Sequence, residues 1–318
     1  MALMPQEQFI LFVYIVTFVT GLPTNSLALY TFSVKVHHKP APIDILLLNL
    51  SVSDLIFLLF LPFRMVQVSQ GMHWVLPNLL CPLSNFIFYS TIYISTLFLM
   101  GVSVERYLGV AYPVHYKMNR KPMYAVYVSV FFWVISTAHC TIVYIVQYQK
   151  PGNGTQNVSS CYEEFTKEQL NILLPVRFEM FFVLFCIPFL ITTFCYISFI
   201  RILLSLPNIS RRRKQRAIGL ALGTLLVFIL CFCPYNISHV VGFVKWQSPK
   251  WRVMTLLLST FNTCLDPIIF YFSSSEVQNS IRNCIAGVLG RIRAIGFCKR
   301  LCPAACTVNE QTESSSNN

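Results

Sequence analysis

The sequence predicts an all-α membrane protein, a bundle of seven transmembrane helices followed by a short cytoplasmic amphipathic helix. Three observations carry this expectation. Of 318 residues, 55% are hydrophobic and only 11% charged, whereas soluble domains carry roughly 25% charged residues. Apolar runs long enough to cross ~30 Å of hydrocarbon fall at residues 9–34, 43–68, 79–107, 124–147, 172–200, 217–244 and 253–272. Lys and Arg gather after the first, third and fifth runs and in the tail, as in Lys35, Lys39, Lys121, Arg201 and the run from Arg211 to Arg216. Positive residues stay on the cytoplasmic face, so the N-terminus is expected outside and the C-terminus inside a multi-pass plasma-membrane protein.

The expected layout is an extracellular N-terminus at 1–8, the bundle at 9–272, the amphipathic helix at 273–288 and a disordered tail at 289–318. The first run has no basic leader and no small-residue cleavage motif, which reads as an uncleaved span. The formal charge of +12 lies in short loops between apolar runs. That is the pattern of membrane topology, and it argues against nucleic acid as a partner. Membrane lipids are the expected surroundings.

Span 1 contains Gly21-Leu-Pro-Thr-Asn25, where Pro frees a carbonyl and Asn can bond a neighbouring helix. Span 2 places Asp54 near mid-membrane. Carboxylates there are costly and face the bundle interior, a water cavity or an ion. Span 3 runs the 25 steps from Cys81 to Arg106, ~38 Å of helix at ~1.5 Å per residue. Tyr89 and Tyr93 lie one turn apart on it and Ser95 lies deeper, while Glu105, Arg106 and Tyr107 mark its cytoplasmic end. Glu105 and Arg106 are expected to form a local ion pair that can be remade.

Span 4 carries Trp133, His139 and Gln147. Most of the twelve cysteines fall in spans or on the cytoplasmic side, where they stay reduced, leaving Cys81 and Cys161 as an extracellular pair. The same loop offers the glycosylation sequons Asn153-Gly-Thr and Asn157-Val-Ser. Cys284, Cys298, Cys302 and Cys306 follow the bundle beside basic residues and are palmitoylation candidates. Span 5 has Arg177 below its outer end, then Glu179, Pro188 and Tyr196. In span 6, Pro234 should kink the helix, with Tyr235 and His239 sharing a face beyond the kink. Arg252 opens span 7, which also holds Asp266, Pro267 and Phe270.

Asn25, Asp54, Cys81, Arg106, Trp133, Pro188, Pro234 and Pro267 occur in the order and spacing of the rhodopsin-like (class A) G-protein-coupled receptors, which the whole chain resembles. It departs from that pattern at Glu105, at Cys231-Phe232-Cys-Pro where Trp is usual, and at Asp266-Pro-x-x-Phe270 where Asn-Pro-x-x-Tyr is usual. Within the class, Leu173-Leu-Pro-Val-Arg177-Phe-Glu179, Cys233-Pro-Tyr-Asn-Ile-Ser-His239, Ser248-Pro-Lys-Trp-Arg252 and Ala138-His139-Cys resemble the free fatty acid receptors, particularly the short-chain types 2 and 3. That resemblance implies signalling through Gi/o, with Gq/11 as a second route, arrestin as a further partner, and no enzyme activity or cofactor. Glu105, Arg106, Tyr107, Tyr196, Phe232, Pro234 and Phe270 are the positions expected to carry activation and G-protein coupling.

The residues add a physical reason for an anion. If the bundle closes in the order that the resemblance implies, Arg177 and Arg252 approach each other at the outer ends of spans 5 and 7, and two such guanidiniums repel until a carboxylate bridges them bidentately. His239, Tyr235 and Tyr89 can add donors, and the resemblance adds His139. Phe88, Tyr93, Tyr144, Gln147 and Glu163 are expected pocket-lining residues, and crowding by the aromatic ones favours short acids such as acetate, propionate or butyrate. The alternative pairing for Arg177 is Glu179, Glu163 or Glu164; the alternative ligands are hydroxy acids and longer fatty acids. Asp54, Ser95 and Asp266 form an expected Na⁺ site of hard oxygen donors. A carboxylate transporter would also use paired Arg, but seven spans lack matching broken repeats. A retinal photoreceptor would need a lysine in 253–272, which has none. No nucleophile, base and orienting group converge as an enzyme would require.

Overall fold

The computed structural model describes residues 4–119, 121–148, 161–162, 165–207, 210–273, 277–279, 282–283 and 286–287. The chain divides into one unit ending at Ser273 and a second from Ser274. In the second, residues 277–279, 282–283 and 286–287 are helical. The remainder of the expected juxtamembrane helix, the tail, its four cysteines, Asn153, Asn157, Glu163 and Glu164 lie outside the described residues.

The first unit contains α1 (Pro5–His38), α2 (Pro42–Ser69), α3 (Leu80–Ala111), α4 (Pro113–Asn119), α5 (Pro122–Cys140), α6 (Ile142–Tyr148), α7 (Lys167–Met180), α8 (Ile187–Ser205), α9 (Arg211–Val227), α10 (Cys233–Lys245), α11 (Arg252–Thr260) and α12 (Asn262–Ser273). Among the described residues, seven helical stretches are long and apolar enough to cross a membrane; α5 with α6, α7 with α8, α9 with α10 and α11 with α12 each make one. The helices overrun several sequence-derived limits, as in span 1, which reaches His38 rather than residue 34, because backbone in the headgroup region still prefers internal hydrogen bonds.

Span 3 is the centre of the bundle. Of its apolar window 83% is buried, and no other span exceeds 56%. Polar side chains lock its neighbours. Asn25 Nδ2 donates to the carbonyls of Gly21 at 3.0 Å and Thr263 at 2.9 Å, tying span 1 to span 7. Gly21 on the same helix lets span 2 come close, since a Cβ there would meet Leu58 at 3.2 Å. Trp133 Nε1 donates to Asn49 Oδ1 at 3.0 Å between spans 4 and 2.

Spans 5 and 6 are not uniformly α-helical. A π-helical turn at Phe181–Cys186 precedes Pro188, and another at Phe228–Phe232 precedes Pro234. Proline cannot donate to the carbonyl one turn back, so a widened turn disposes of the mismatch without breaking the helix. Ser259 of span 7 donates to the Cys231 carbonyl at 2.8 Å, satisfying an acceptor inside the second widened turn.

Candidate ligand-binding site and its surroundings

Cys81 at the start of α3 is joined by a disulfide to Cys161. This holds Cys161 and Tyr162 over one end of the bundle, the disulfide end. Tyr162, next to the bridge, sits at φ 59°, a left-handed conformation that an aromatic residue rarely adopts. Its ring lies 5.0 Å from Phe165 and 5.6 Å from Tyr89. Burial pushes its phenol up to about 12, with the Arg177 guanidinium pulling the other way.

Beneath this segment, Arg177 of α7 and Arg252 of α11 are each 5% exposed. Burial of a guanidinium requires compensation, and here it comes largely from rings. Arg177 lies 5.1 Å over Phe165 and 5.9 Å over Tyr162, and Arg252 lies 6.0 Å over Tyr89. The Tyr162 hydroxyl lies near Arg177 and the Tyr89 hydroxyl near Arg252. Arg177 Nη2 and Arg252 Nη1 have no hydrogen-bond partner, and no carboxylate pairs with either guanidinium among the described residues. Glu179, one alternative partner for Arg177, binds His139 instead at 3.1 Å.

The two arginines face different compartments. Arg177, His239, Tyr235, Tyr93 and Met180 line an inner cavity of about 10 Å³, the volume of roughly one water. Within it Tyr93 Oη and His239 Nε2 are 2.9 Å apart, Tyr235 packs edge-on against the His239 ring at 4.7 Å, and His239 Nδ1 is unpartnered. Arg252 lines an outer cavity of about 140 Å³ with Arg64, Gln67, Tyr14 and Lys250. Tyr89 and Tyr162 belong to both linings and form the partition.

The structure thus brings together Arg177, Arg252, His239, Tyr235, Tyr89 and Tyr93, and leaves others out. The expectation that His139 joins the carboxylate donors is corrected: its ring is held by the Ile135 carbonyl at 2.7 Å and by Glu179, and it lines neither cavity. Tyr144 stacks toward Tyr148 and packs against Phe86, and Gln147 likewise lines neither cavity. Phe88 lies behind the site, against Phe57 and under the Arg64 guanidinium. Sequence reasoning missed Arg64, Tyr162 and Phe165. Arg64 had a readable signal, a cation within the apolar run of span 2 ten positions after Asp54.

At the opposite end, the expected Glu105–Arg106 ion pair is replaced. The Glu105 carboxylate accepts a hydrogen bond from Tyr116 of α4, whereas Arg106 Nε and Nη2 have no partner. Adjacent helix residues point about 100° apart, so each meets different neighbours. Arg106 instead lies near Tyr196, Tyr116 and Asp44, and Tyr196 Oη donates to Thr224 at 3.3 Å. Tyr107 packs on Phe194 and Tyr112, Phe232 on Phe228, and Phe270 on Phe32.

In the middle, Asp54 and Asp266 are close neighbours. Asp54 accepts from Thr263 at 3.4 Å and Asp266 from Asn262 at 2.7 Å, yet each retains one oxygen without a donor. Asp54 and Ser95 line a cavity of about 10 Å³. No group of three or more His, Cys, Asp or Glu that could hold a metal is found among the described residues.

Residues 24–270 match the family of 7 transmembrane receptors (rhodopsin family). The chain belongs to that family. It is 50% identical over 283 residues to free fatty acid receptor 3 of Mus musculus, covering 88% of this chain and 86% of the relative. Identity is 50% over 292 residues to free fatty acid receptor 2 of Mus musculus, covering 89% and 88%, and 48% over 299 residues to that of Homo sapiens, covering 90% of each. These relatives are receptors, not enzymes. This rhodopsin-family member shares with its class the seven membrane-crossing helices described above.

Proposed function

We propose that the chain is a plasma-membrane receptor activated by short-chain fatty acids such as acetate, propionate and butyrate. The observation that carries this reading is the pair of buried guanidiniums, Arg177 and Arg252, on either side of the Tyr89–Tyr162 partition, with no carboxylate partner among the described residues. A carboxylate bound between the two arginines would part the Tyr89 and Tyr162 rings and take paired N–H donors, with His239, Tyr235 and Tyr93 completing its shell. The small inner volume favours a short tail. A ligand with one to three CH₂ groups gains only ~0.8 kcal/mol from each, so affinity rests on charge and lies near the millimolar to micromolar range. The free fatty acid receptors at about 50% identity support the ligand class.

Binding draws spans 5, 6 and 7 together at the disulfide end, and the widened turn before Pro234 carries the shift to the Arg106 end. There Arg106, with two unpartnered nitrogens, is available to a heterotrimeric G protein. Gi/o is the expected partner, with Gq/11 as a second and arrestin as the terminating one. The disulfide end faces outside, and residues 1–8, 273–288 and 289–318 serve as extracellular terminus, amphipathic helix and tail. The oxygens of Asp54, Asp266 and Ser95 suit a hard monovalent cation, because each carboxylate keeps one buried oxygen without a donor and Asp54 and Ser95 line a water-sized space. Na⁺ held there would offset the charge of the acidic pair in the resting receptor. His139 with Glu179 sets the seam between spans 4 and 5 rather than touching ligand.

The test is a dose series of C2 to C10 carboxylates read as loss of cyclic AMP in cells expressing wild type, Arg177→Ala, Arg177→Lys or Arg252→Ala at matched surface levels. Each alanine variant should lose at least tenfold in potency, and lysine should not restore the bidentate contact. Wild-type potency in either alanine variant would refute the reading.

A further inference from the structure

The outer cavity contains a second buried cation that the anion clamp does not use. Arg64 of α2 is 8% exposed and lies 5.1 Å over the Phe88 ring. Its Nη1 donates to Gln67 Oε1 at 2.9 Å and its Nη2 to Asn85 Oδ1. Both acceptors are neutral amides, and Nε has no partner. The positive charge is therefore out of water with hydrogen bonds but no counter-charge among the described residues. A buried charge in that condition is unfavourable unless a mobile anion supplies what the fold omits.

The surroundings supply room and further attraction. Arg64, Arg252 and Lys250 all line the cavity, and no carboxylate lines it among the described residues. The nearest acid on α1, Glu7, is outside that lining and accepts the Met4 backbone amide at 2.8 Å. About 140 Å³ is close to the ~150 Å³ that accommodates benzene in a protein core, enough for a small organic anion. Val68 and Leu256 give it an apolar wall.

We infer that the outer cavity is an anion site in its own right, in which Arg64 holds a second small carboxylate independently of Arg177. The unpartnered Nε–H is the donor offered to it, and Arg252, which lines the same cavity, adds a second guanidinium. This inference rests on the carboxylate-receptor reading only for the choice of ligand class. The competing role for Arg64 is structural, since Asn85 also donates to the Cys161 sulfur at 3.1 Å and the arginine could serve only to hold that amide.

The experiment uses the full-length receptor in lipid nanodiscs with ¹⁵Nε-labelled arginine, titrated with propionate and, as a neutral control, propionamide. The Arg64 Nε signal, assigned by its loss in Arg64→Lys, should shift saturably with propionate alone, and should do so in Arg177→Ala as well. Val68→Phe, which fills the outer cavity without touching a charge, should abolish the Arg64 shift and leave the Arg177 shift. An Arg64 signal that stays still until the Arg177 signal saturates, or that ceases to respond in Arg177→Ala, overturns the inference. A silent Arg177 signal beside a responding Arg64 signal would instead overturn the clamp reading and uphold the second site.

Discussion

The rings of Tyr89 and Tyr162 stand 5.6 Å apart and divide the disulfide end of the bundle into one compartment with Arg177 and another with Arg252. Tyr89 comes from the most buried helix and Tyr162 from the segment tethered by Cys161, so the partition joins the bundle to its cover.

Removing one leaf of the partition should lengthen the preferred ligand. In Tyr162→Ala the inner space opens toward the outer 140 Å³. Each further methylene that then becomes buried should raise potency roughly fourfold, from ~0.8 kcal/mol per CH₂. A C2 to C6 potency series on the variant checks this; an unchanged chain-length profile would count against the partition.

The Tyr162 hydroxyl should act as a neutral donor throughout the physiological range. Burial raises its phenol to about 12, so the protonated form prevails below that value and is lost only as pH rises through it. Tyr162→Phe should therefore change propionate potency by the same factor at about pH 6.5 and about pH 8.5, both well below the titration. A factor that differs between the two would show that a charged phenolate contributes.

Asn85 should matter more for stability than its neutral amide suggests. It accepts from Arg64 and donates to the Cys81 carbonyl at 3.0 Å and to the Cys161 sulfur at 3.1 Å, linking α2, α3 and the covering segment. Asn85→Ala strands a buried guanidinium donor, at a cost of about 1–3 kcal/mol. The thermal midpoint of purified receptor, followed by tryptophan fluorescence, should fall by several degrees. No fall would mean that water replaces the amide.

The His139–Glu179 pair is half exposed on the glutamate side, so its contribution should be small. A double-mutant cycle of His139→Ala and Glu179→Gln should give a coupling energy below about 1 kcal/mol in thermal stability. A larger coupling would place the pair in a drier setting than its exposure indicates.

The helices were readable from the sequence because hydropathy and the positive-inside bias report on the solvent, and a bilayer forces each spanning segment to satisfy its own backbone. The site was readable in part. Arg177, Arg252 and His239 stood out as costly groups in apolar runs, whereas Tyr162 lay in a loop where periodicity carries no information. Arg64 was passed over because it sits near a helix end, where an arginine that snorkels to the interface looks identical in sequence to one that is buried. His139 failed for another reason. A helical wheel places a residue within a face but does not say whether a neighbouring helix meets it with a cavity or with Glu179.

Each π-helical turn in spans 5 and 6 contains one residue more than an α turn would, so the stretches on its two sides run out of phase. Drawing that extra residue back into α geometry would rotate the downstream stretch by about 100° and advance it by ~1.5 Å. Span 6 accordingly has, just before Pro234, the means to screw as well as to tilt. Motion at one end of span 6 need not lever a rigid rod; it can let out or take up a single residue of slack.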